Sequence, residues 1–231
     1  MDLSIKLRKY LLDNGACEVG FADISDVTII NGLNIGIVFY LVYPKDILKR
    51  MVNAPTMEYV LKLVEFNKKL DYLGMLTEEF LKNEGYNAYA QTKKRLGTDF
   101  GDNNSFELPH KTIATKAGLG WIGKSALLIT EKYGSAIRLS SVLTDAPLKT
   151  GVAITDSKCG KCNLCQKSCN AGAISGKNWN IHMKRNDFYD DKKCEEYMLE
   201  KSRINLGKAD TVCGKCIYSC VYTKRYYQSN D

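Results

Sequence analysis

The stretch CGKCNLCQKSCN, residues 159–170, places Cys159, Cys162, Cys165 and Cys169 close together in a chain that holds 9 cysteines among 231 residues. A second crowd, CGKCIYSC at 213–220, supplies Cys213, Cys216 and Cys220, and Cys194 stands alone between the two. The first run has the spacing C-x2-C-x2-C-x3-C. A short loop of this kind can wrap three corners of one iron–sulfur cube, while its fourth thiolate points away to another cluster. The second run is one cysteine short of the same pattern, and Cys194 supplies the missing ligand. The spacing therefore predicts two 4Fe-4S clusters, the first held by Cys159, Cys162, Cys165 and Cys220 and the second by Cys169, Cys194, Cys213 and Cys216. Zinc is the competing reading: the pairs 159/162 and 213/216 could form a zinc ribbon. That would leave Cys165, Cys169, Cys194 and Cys220 unexplained at spacings that suit a second cube. The proline usual after the fourth cysteine is Asn170 in the first run and Val221 in the second. It turns the chain and is not a ligand. Cys17, in the apolar stretch GACEVGF, reads as a buried small hydrophobe.

Composition agrees with an intracellular metal protein. The chain is 45% hydrophobic and 26% charged, which is ordinary for a soluble domain. It has no apolar run long enough to cross a membrane, and its N-terminus, MDLSIKLRKYLLDNG, lacks the apolar core of a signal peptide. The expectation is a cytoplasmic protein with no membrane partner, in a compartment where thiols stay reduced and clustered cysteines hold metal. The net charge is +7. Residues 1–155 contribute +2 of it and residues 156–231 contribute +5. The basic surplus thus lies where the cysteines are. An oxidised cube with four thiolates carries about −2, and a metal's charge belongs in the account of its site. Offsetting two anionic clusters is the simpler reading of the surplus, and a nucleic-acid surface the alternative.

Outside the cysteines the pattern alternates. Residues 4–14 read as an amphipathic helix, 17–24 and 34–43 as strands, the second buried on both faces. A long helical region follows Pro44, with Asn53 and Thr56 as candidate caps. Strand-like stretches recur at 86–92, 126–130 and 134–144, with a polar loop at 97–106 and a short helix at 110–118 that Gly118 can close. The expected fold class is α+β: a sheet-and-helix domain over 1–150, followed by a ferredoxin-like domain over 151–231 that binds the two clusters.

Two nearby clusters make an electron wire, and the attached N-terminal domain suggests a terminus within the same molecule. Its most distinctive loop is AGLGWIGKS, 117–125. Gly118, Gly120 and Gly123 permit close backbone approach, Trp121 offers a flat face, and Lys124 a cation. With Leu119 and Ile122 these form a candidate cofactor-binding set, suited to a phosphate or a flat macrocycle. The string from Gly118 to Ser125 satisfies G-x-x-x-x-G-K-[ST]. A phosphate-binding loop follows a buried strand and opens a helix, however, and here a helix-like HKTIATK precedes and a strand-like ALLIT follows. Nucleotide hydrolysis is set aside on that ground. His110, just before the loop's helix, is a candidate proton donor because an unperturbed imidazole titrates near working pH.

LPHKTIATKAGLGWIGKSALLITEKYGSAIRLSSVLTDAPL, 108–148, followed by the cysteine pattern, resembles the epoxyqueuosine reductase family. That family carries an A-x-x-AGLGWIGK-x-x-LLI-x-x-x-YGS segment, a first cysteine run, a lone cysteine and a C-x-x-C-x-x-x-C run. The resemblance implies a cobalamin-dependent iron–sulfur reductase, in which two 4Fe-4S clusters feed a corrinoid held in an N-terminal domain of nitroreductase-like fold. It also implies an external low-potential electron donor and a small-molecule or modified-nucleoside substrate. The family's aspartate proton donor corresponds in position to Asn104, and Asp102, two residues earlier, is the carboxyl candidate here. The family's tRNA-holding segment lies beyond the second cluster, where this chain stops, so tRNA is the less expected partner. The alternative reading is a ferredoxin-like electron-transfer or interaction module without a corrinoid.

Overall fold

A computed structural model describes residues 2–27, 32–93, 95 and 108–229. In chain order the elements are α1 (Leu3–Asp13), β1 (Glu18–Asp23), β2 (Ile35–Val42), α2 (Lys45–Arg50), α3 (Met57–Asn83), β3 (Ala88–Ala90), α4 (His110–Lys116), β4 (Trp121–Ile122), β5 (Leu128–Ile129), β6 (Ile137–Thr144), α5 (Leu164–Ser168), α6 (Asp191–Leu206), α7 (Lys215–Ser219) and α8 (Val221–Gln228). Helices and sheet are mixed, as the alternating pattern predicts. The expected polar loop at 97–106, and Asp102 within it, lie outside the described residues.

Contacts gather the chain into two units, each drawn from three segments. One comprises Met1–Leu41, Glu65–Leu119 and Arg138–Ile154, the other Val42–Val64, Gly120–Ile137 and Thr155–Asp231. The cysteine region therefore groups with residues 42–64 and 120–137, an interleaving that a linear boundary near 150 does not express.

The first unit is built on a four-stranded sheet in the order β1-β2-β6-β3. Strands β1 and β2 pair antiparallel with Val19 opposite Phe39 and Phe21 opposite Ile37. Strands β3 and β6 pair antiparallel with Tyr89 opposite Leu143. The interior of β2 is buried throughout, which is why its sequence is a continuous apolar run rather than an alternating one. Helix α1 starts where the Asp2 carboxylate accepts the Ser4 N–H at 2.9 Å, relieving one of the donors a helix start leaves unpaired. Its Tyr10 ring stacks on Phe80 of α3 at 5.0 Å. Cys17 departs from expectation: it is exposed. Its backbone N–H donates to Tyr40 O at 2.9 Å, just ahead of β1, while Ala16 takes the buried position and Cys17 is left exposed.

One carboxylate ties α3 to the end of β3. Glu78 is buried and accepts the Ala90 N–H at 2.8 Å. It also takes ion pairs from Lys82 at 2.6 Å and from Arg95. Burial alone would raise its carboxyl, but Arg95, Lys82 and the Ala90 amide outweigh burial and hold the pKa down to about 2. Glu78→Ala, which strands the Ala90 amide and Arg95, is expected to destabilise the unit by about 1–3 kcal/mol. A depressed carboxyl contributes stability that is complete above its ordinary 4.5 and is lost as pH falls towards about 2. Denaturant unfolding at stepped pH should show wild type losing stability relative to Glu78→Gln across that window. Parallel pH profiles for the two proteins would refute the assignment.

Candidate functional site

The second unit holds all eight predicted cluster cysteines, and the two runs are built alike. Helix α5 carries Cys165 and α7 carries Cys216. The two short helices pack together, with the Ser168 and Ser219 hydroxyls hydrogen-bonded at 2.7 Å. Each hydroxyl also donates to the carbonyl three residues back, Cys165 O at 3.1 Å and Cys216 O at 3.4 Å. The cysteine that ends each helix then leaves towards the other run's ligands.

The outcome is a reciprocal exchange. Cys159, Cys162, Cys165 and Cys220 line one pocket, together with Gly123, Lys124, Ser125, Ile129 and Tyr222. Burial, followed by the charges of Cys159, Cys220 and Cys162, pushes the Cys165 thiol up to about 11. Of the other four, Cys194, Cys213 and Cys216 are each raised, with Cys169 among the charges that raise them. Cys216 is raised well above its ordinary value by burial and then by Cys213, Cys194, Cys165 and Cys169. Cys213 is raised by burial, with Cys194 and Cys169 adding to it. Cys194 is raised by burial and by Cys169, against a hydrogen bond donated to its sulfur by the Tyr189 hydroxyl. Thiols driven up by burial and mutual repulsion become thiolates once a polynuclear cation neutralises them, releasing protons as it binds. The donor set fits two cubes of four thiolates each.

The glycine–tryptophan loop is engaged by its own chain. Gly118 follows α4 at φ +74°, and a Cβ there would stand 2.6 Å from Val152 O. A Cβ on Gly120 would stand 2.2 Å from Ile129 O, so only glycine lets the two backbones meet. Trp121 and Ile122 form β4, a hairpin partner for β5 that sequence patterning does not reveal, because each strand has only two residues. Trp121 is fully buried and meets Tyr222 edge-on at 5.1 Å. Lys124 is also buried and lies on the wall of the first cysteine pocket. The Tyr-rich tail forms α8 and brings Val221 and Tyr222 to the first pocket.

In the first unit His110 opens α4, and its Nδ1 lies 2.7 Å from the Ser141 hydroxyl. Ser141 also accepts from the Gln91 amide at 2.7 Å, and the same amide donates to Leu108 O at 3.1 Å. The Gln91 Oε1 is buried, with no hydrogen-bond partner among the described residues. Burial, then the charges of Arg138 and Lys111, lowers the imidazole to about 4. His110 is therefore neutral at working pH, rather than poised near it as an unperturbed imidazole would be.

Residues 158–223 match the family described as a 4Fe-4S double cluster binding domain. Over 153 residues the chain is 30% identical to the epoxyqueuosine reductase of Aliivibrio fischeri, covering 66% of this chain and 35% of that protein. Over 125 residues it is 34% identical to that of Listeria monocytogenes, covering 51% of this chain and 30% of that protein.

The chain resembles the epoxyqueuosine reductases.

It spans about a third of the length of these curated relatives. Its fold is similar to a crystal structure of epoxyqueuosine reductase with an epoxyqueuosine-modified tRNA-Tyr stem loop. The TM-score is 0.63 at 21% identity, covering 96% of this chain and 65% of that one. It is also similar to a reductive dehalogenase structure described as suggesting a mechanism for B12-dependent dehalogenation. There the TM-score is 0.68 at 17% identity, covering 96% of this chain and 32% of that one. The epoxyqueuosine reductase-like chain thus carries a two-cluster iron–sulfur domain at 158–223. Sequence reading passed over the Ser168–Ser219 pair, although C-x-x-S-C recurs in CQKSC and CIYSC. It also passed over Tyr189, which only the fold brings to Cys194.

The depressed imidazole makes a measurable prediction. His110 binds a proton near its ordinary 6.5 when unfolded and only near 4 when folded. Stability should therefore fall as pH drops from about 6.5 to about 4, by roughly 2–3 kcal/mol more in wild type than in His110→Gln. Equal losses in the two proteins over that range would show that His110 is not held neutral.

Proposed function

We propose that this protein is an iron–sulfur reductase. The first 4Fe-4S cluster is held by Cys159, Cys162, Cys165 and Cys220, and the second by Cys169, Cys194, Cys213 and Cys216. Electrons enter from an external low-potential donor and leave to a corrinoid, or directly to substrate, in an N-terminal domain of nitroreductase-like type. The observation that supports this reading is the pocket that Cys220 of the second run shares with Cys159, Cys162 and Cys165 of the first. The likeness to epoxyqueuosine reductases supports the reductase chemistry. The likeness in fold to a dehalogenase described as B12-dependent supports the corrinoid.

When bound, each cluster supplies one-electron transfer at low potential. The chain's own contribution is placement. The thiolates fix both cubes through the α5–α7 pair, apolar walls such as Ile129 and Tyr222 limit water, and Tyr189 donates to the Cys194 sulfur. His110, neutral and tethered to Ser141, is a hydrogen-bond donor or a proton acceptor, and Asp102 is the candidate proton donor. The substrate class is a small molecule or modified nucleoside, with tRNA the less favoured partner, in the cytoplasm. No helix among the described residues is long and apolar enough to cross a membrane.

A second reading, an electron-transfer module without a corrinoid, is favoured by one observation. Gly118, Gly120 and Trp121, the residues best suited to cover a macrocycle, are engaged by Val152, Ile129 and Tyr222.

Anaerobically purified protein should contain about eight irons and eight sulfides per chain. Cys220→Ser should silence the same electron-paramagnetic signal as Cys162→Ser, although the two positions are remote in sequence, and Cys169→Ser the same signal as Cys194→Ser. One zinc per chain, or Cys220 pairing with Cys213 in this comparison, overturns the assignment. Optical titration with cobalamin separates the two readings. A shifted corrinoid spectrum supports the cobalamin-dependent reductase, and full clusters without binding support the electron-transfer module.

A further inference from the structure

Lys124 is 5% exposed, which is unusual for an ammonium group, since burying a charge is costly unless it is paired. Among the described residues no carboxylate pairs with it, and none lines the pocket it faces. That pocket is lined instead by the thiols of Cys159, Cys162, Cys165 and Cys220. The backbone holds the lysine there. The Gly123 N–H donates to Leu127 O at 2.8 Å and the Ala126 N–H to Gly123 O at 2.9 Å, closing a tight turn. A Cβ on Gly123 would lie 3.6 Å from Cys159 Sγ, so the turn lies directly against a ligand of the first set. The neighbouring cation, Lys158, is accounted for otherwise. Its Nζ pairs with Glu131 at 3.0 Å, and its side chain is 52% exposed.

We propose that the Lys124 ammonium is the internal counter-ion of the first cluster and raises that cluster's reduction potential relative to a chain lacking the charge. The inference rests on the two-cluster reading above. A four-thiolate cube is anionic when oxidised, and each electron it gains adds one more negative charge. A fixed cation in a pocket walled by apolar groups stabilises the reduced state more than the oxidised one, and solvent and salt screen it little. The lysine acts by position and charge and takes no part in bond making.

The test is a redox titration of the anaerobic holoprotein, monitored by electron paramagnetic resonance, in wild type, Lys124→Met, Lys124→Arg and Lys158→Met. Lys124→Met is expected to lower the midpoint of one cluster only. The cluster affected should be the one whose signal Cys220→Ser abolishes. At fixed ambient potential its reduced-to-oxidised ratio should fall at least tenfold, which is about 59 mV for a one-electron couple. Lys124→Arg should keep the wild-type value, and the screened Lys158→Met should shift it less than Lys124→Met does. Unchanged midpoints in Lys124→Met with both clusters present overturn the proposal. If Lys124→Met instead loses about four irons and Lys124→Arg retains them, the counter-ion role stands. Loss in both variants shows that Lys124 matters through packing and overturns it. Wild type without about eight irons would mark failure of the two-cluster reading itself.

Discussion

The second unit depends on the meeting of two short helices: Cys169 ends α5 and Cys220 ends α7, and Cys220 comes back to line one pocket with Cys159, Cys162 and Cys165 of the other run. The hydroxyl pair Ser168–Ser219 fixes how the two helices meet, and that meeting directs both departing cysteines. A five-residue helix has little stability of its own. Here the tertiary contact, and in the holoprotein the metal–thiolate bonds, supply what length does not.

Charge follows from this geometry. Burial and neighbouring thiols push Cys165, Cys194, Cys213 and Cys216 up, and metal binding reverses that preference for the protonated form. The basic surplus lies in the same stretch of chain, residues 156–231. Lys124 lies on the pocket wall, and the 123–127 turn explains why a lysine can be held there. The same turn closes the β4–β5 hairpin, so the glycines of the AGLGWIGK segment serve chain-on-chain contact before any ligand is considered.

The first unit answers to a different constraint, the pairing of buried polar groups. Glu78 meets Arg95, Lys82 and the Ala90 amide, and His110, Ser141 and Gln91 form a chain of hydrogen bonds. Both networks draw residues far apart in sequence into one electrostatic environment. That environment lowers both the Glu78 carboxyl and the His110 imidazole, for opposite reasons: Glu78 is surrounded by cations that favour its charge, whereas His110 is buried beside cations that disfavour its own.

Local spacing was sufficient for some features. The C-x-x-C-x-x-C run and its shorter echo specify how many ligands each loop can wrap, and period and apolar runs specify α1, β1, β2, α3 and α4, because those signals are short-range. Other features depended on the three-dimensional path of the chain. Cys17 reads as buried from its apolar neighbours and proves exposed, because Ala16 beside it, not Cys17, takes the buried position ahead of β1. The tail helix α8 brings Val221 and Tyr222 to the first pocket, a neighbour that residues far ahead of it in the chain supply. Residues 42–64 and 120–137 join the cysteine region although a linear boundary separates them from it. The sequence by itself determined the two spaced sets of cysteines that mark a double-cluster domain. Only the tertiary structure decided what surrounds those sets, including the buried lysine on one wall, because burial and missing counter-charges are properties of neighbours brought together by folding.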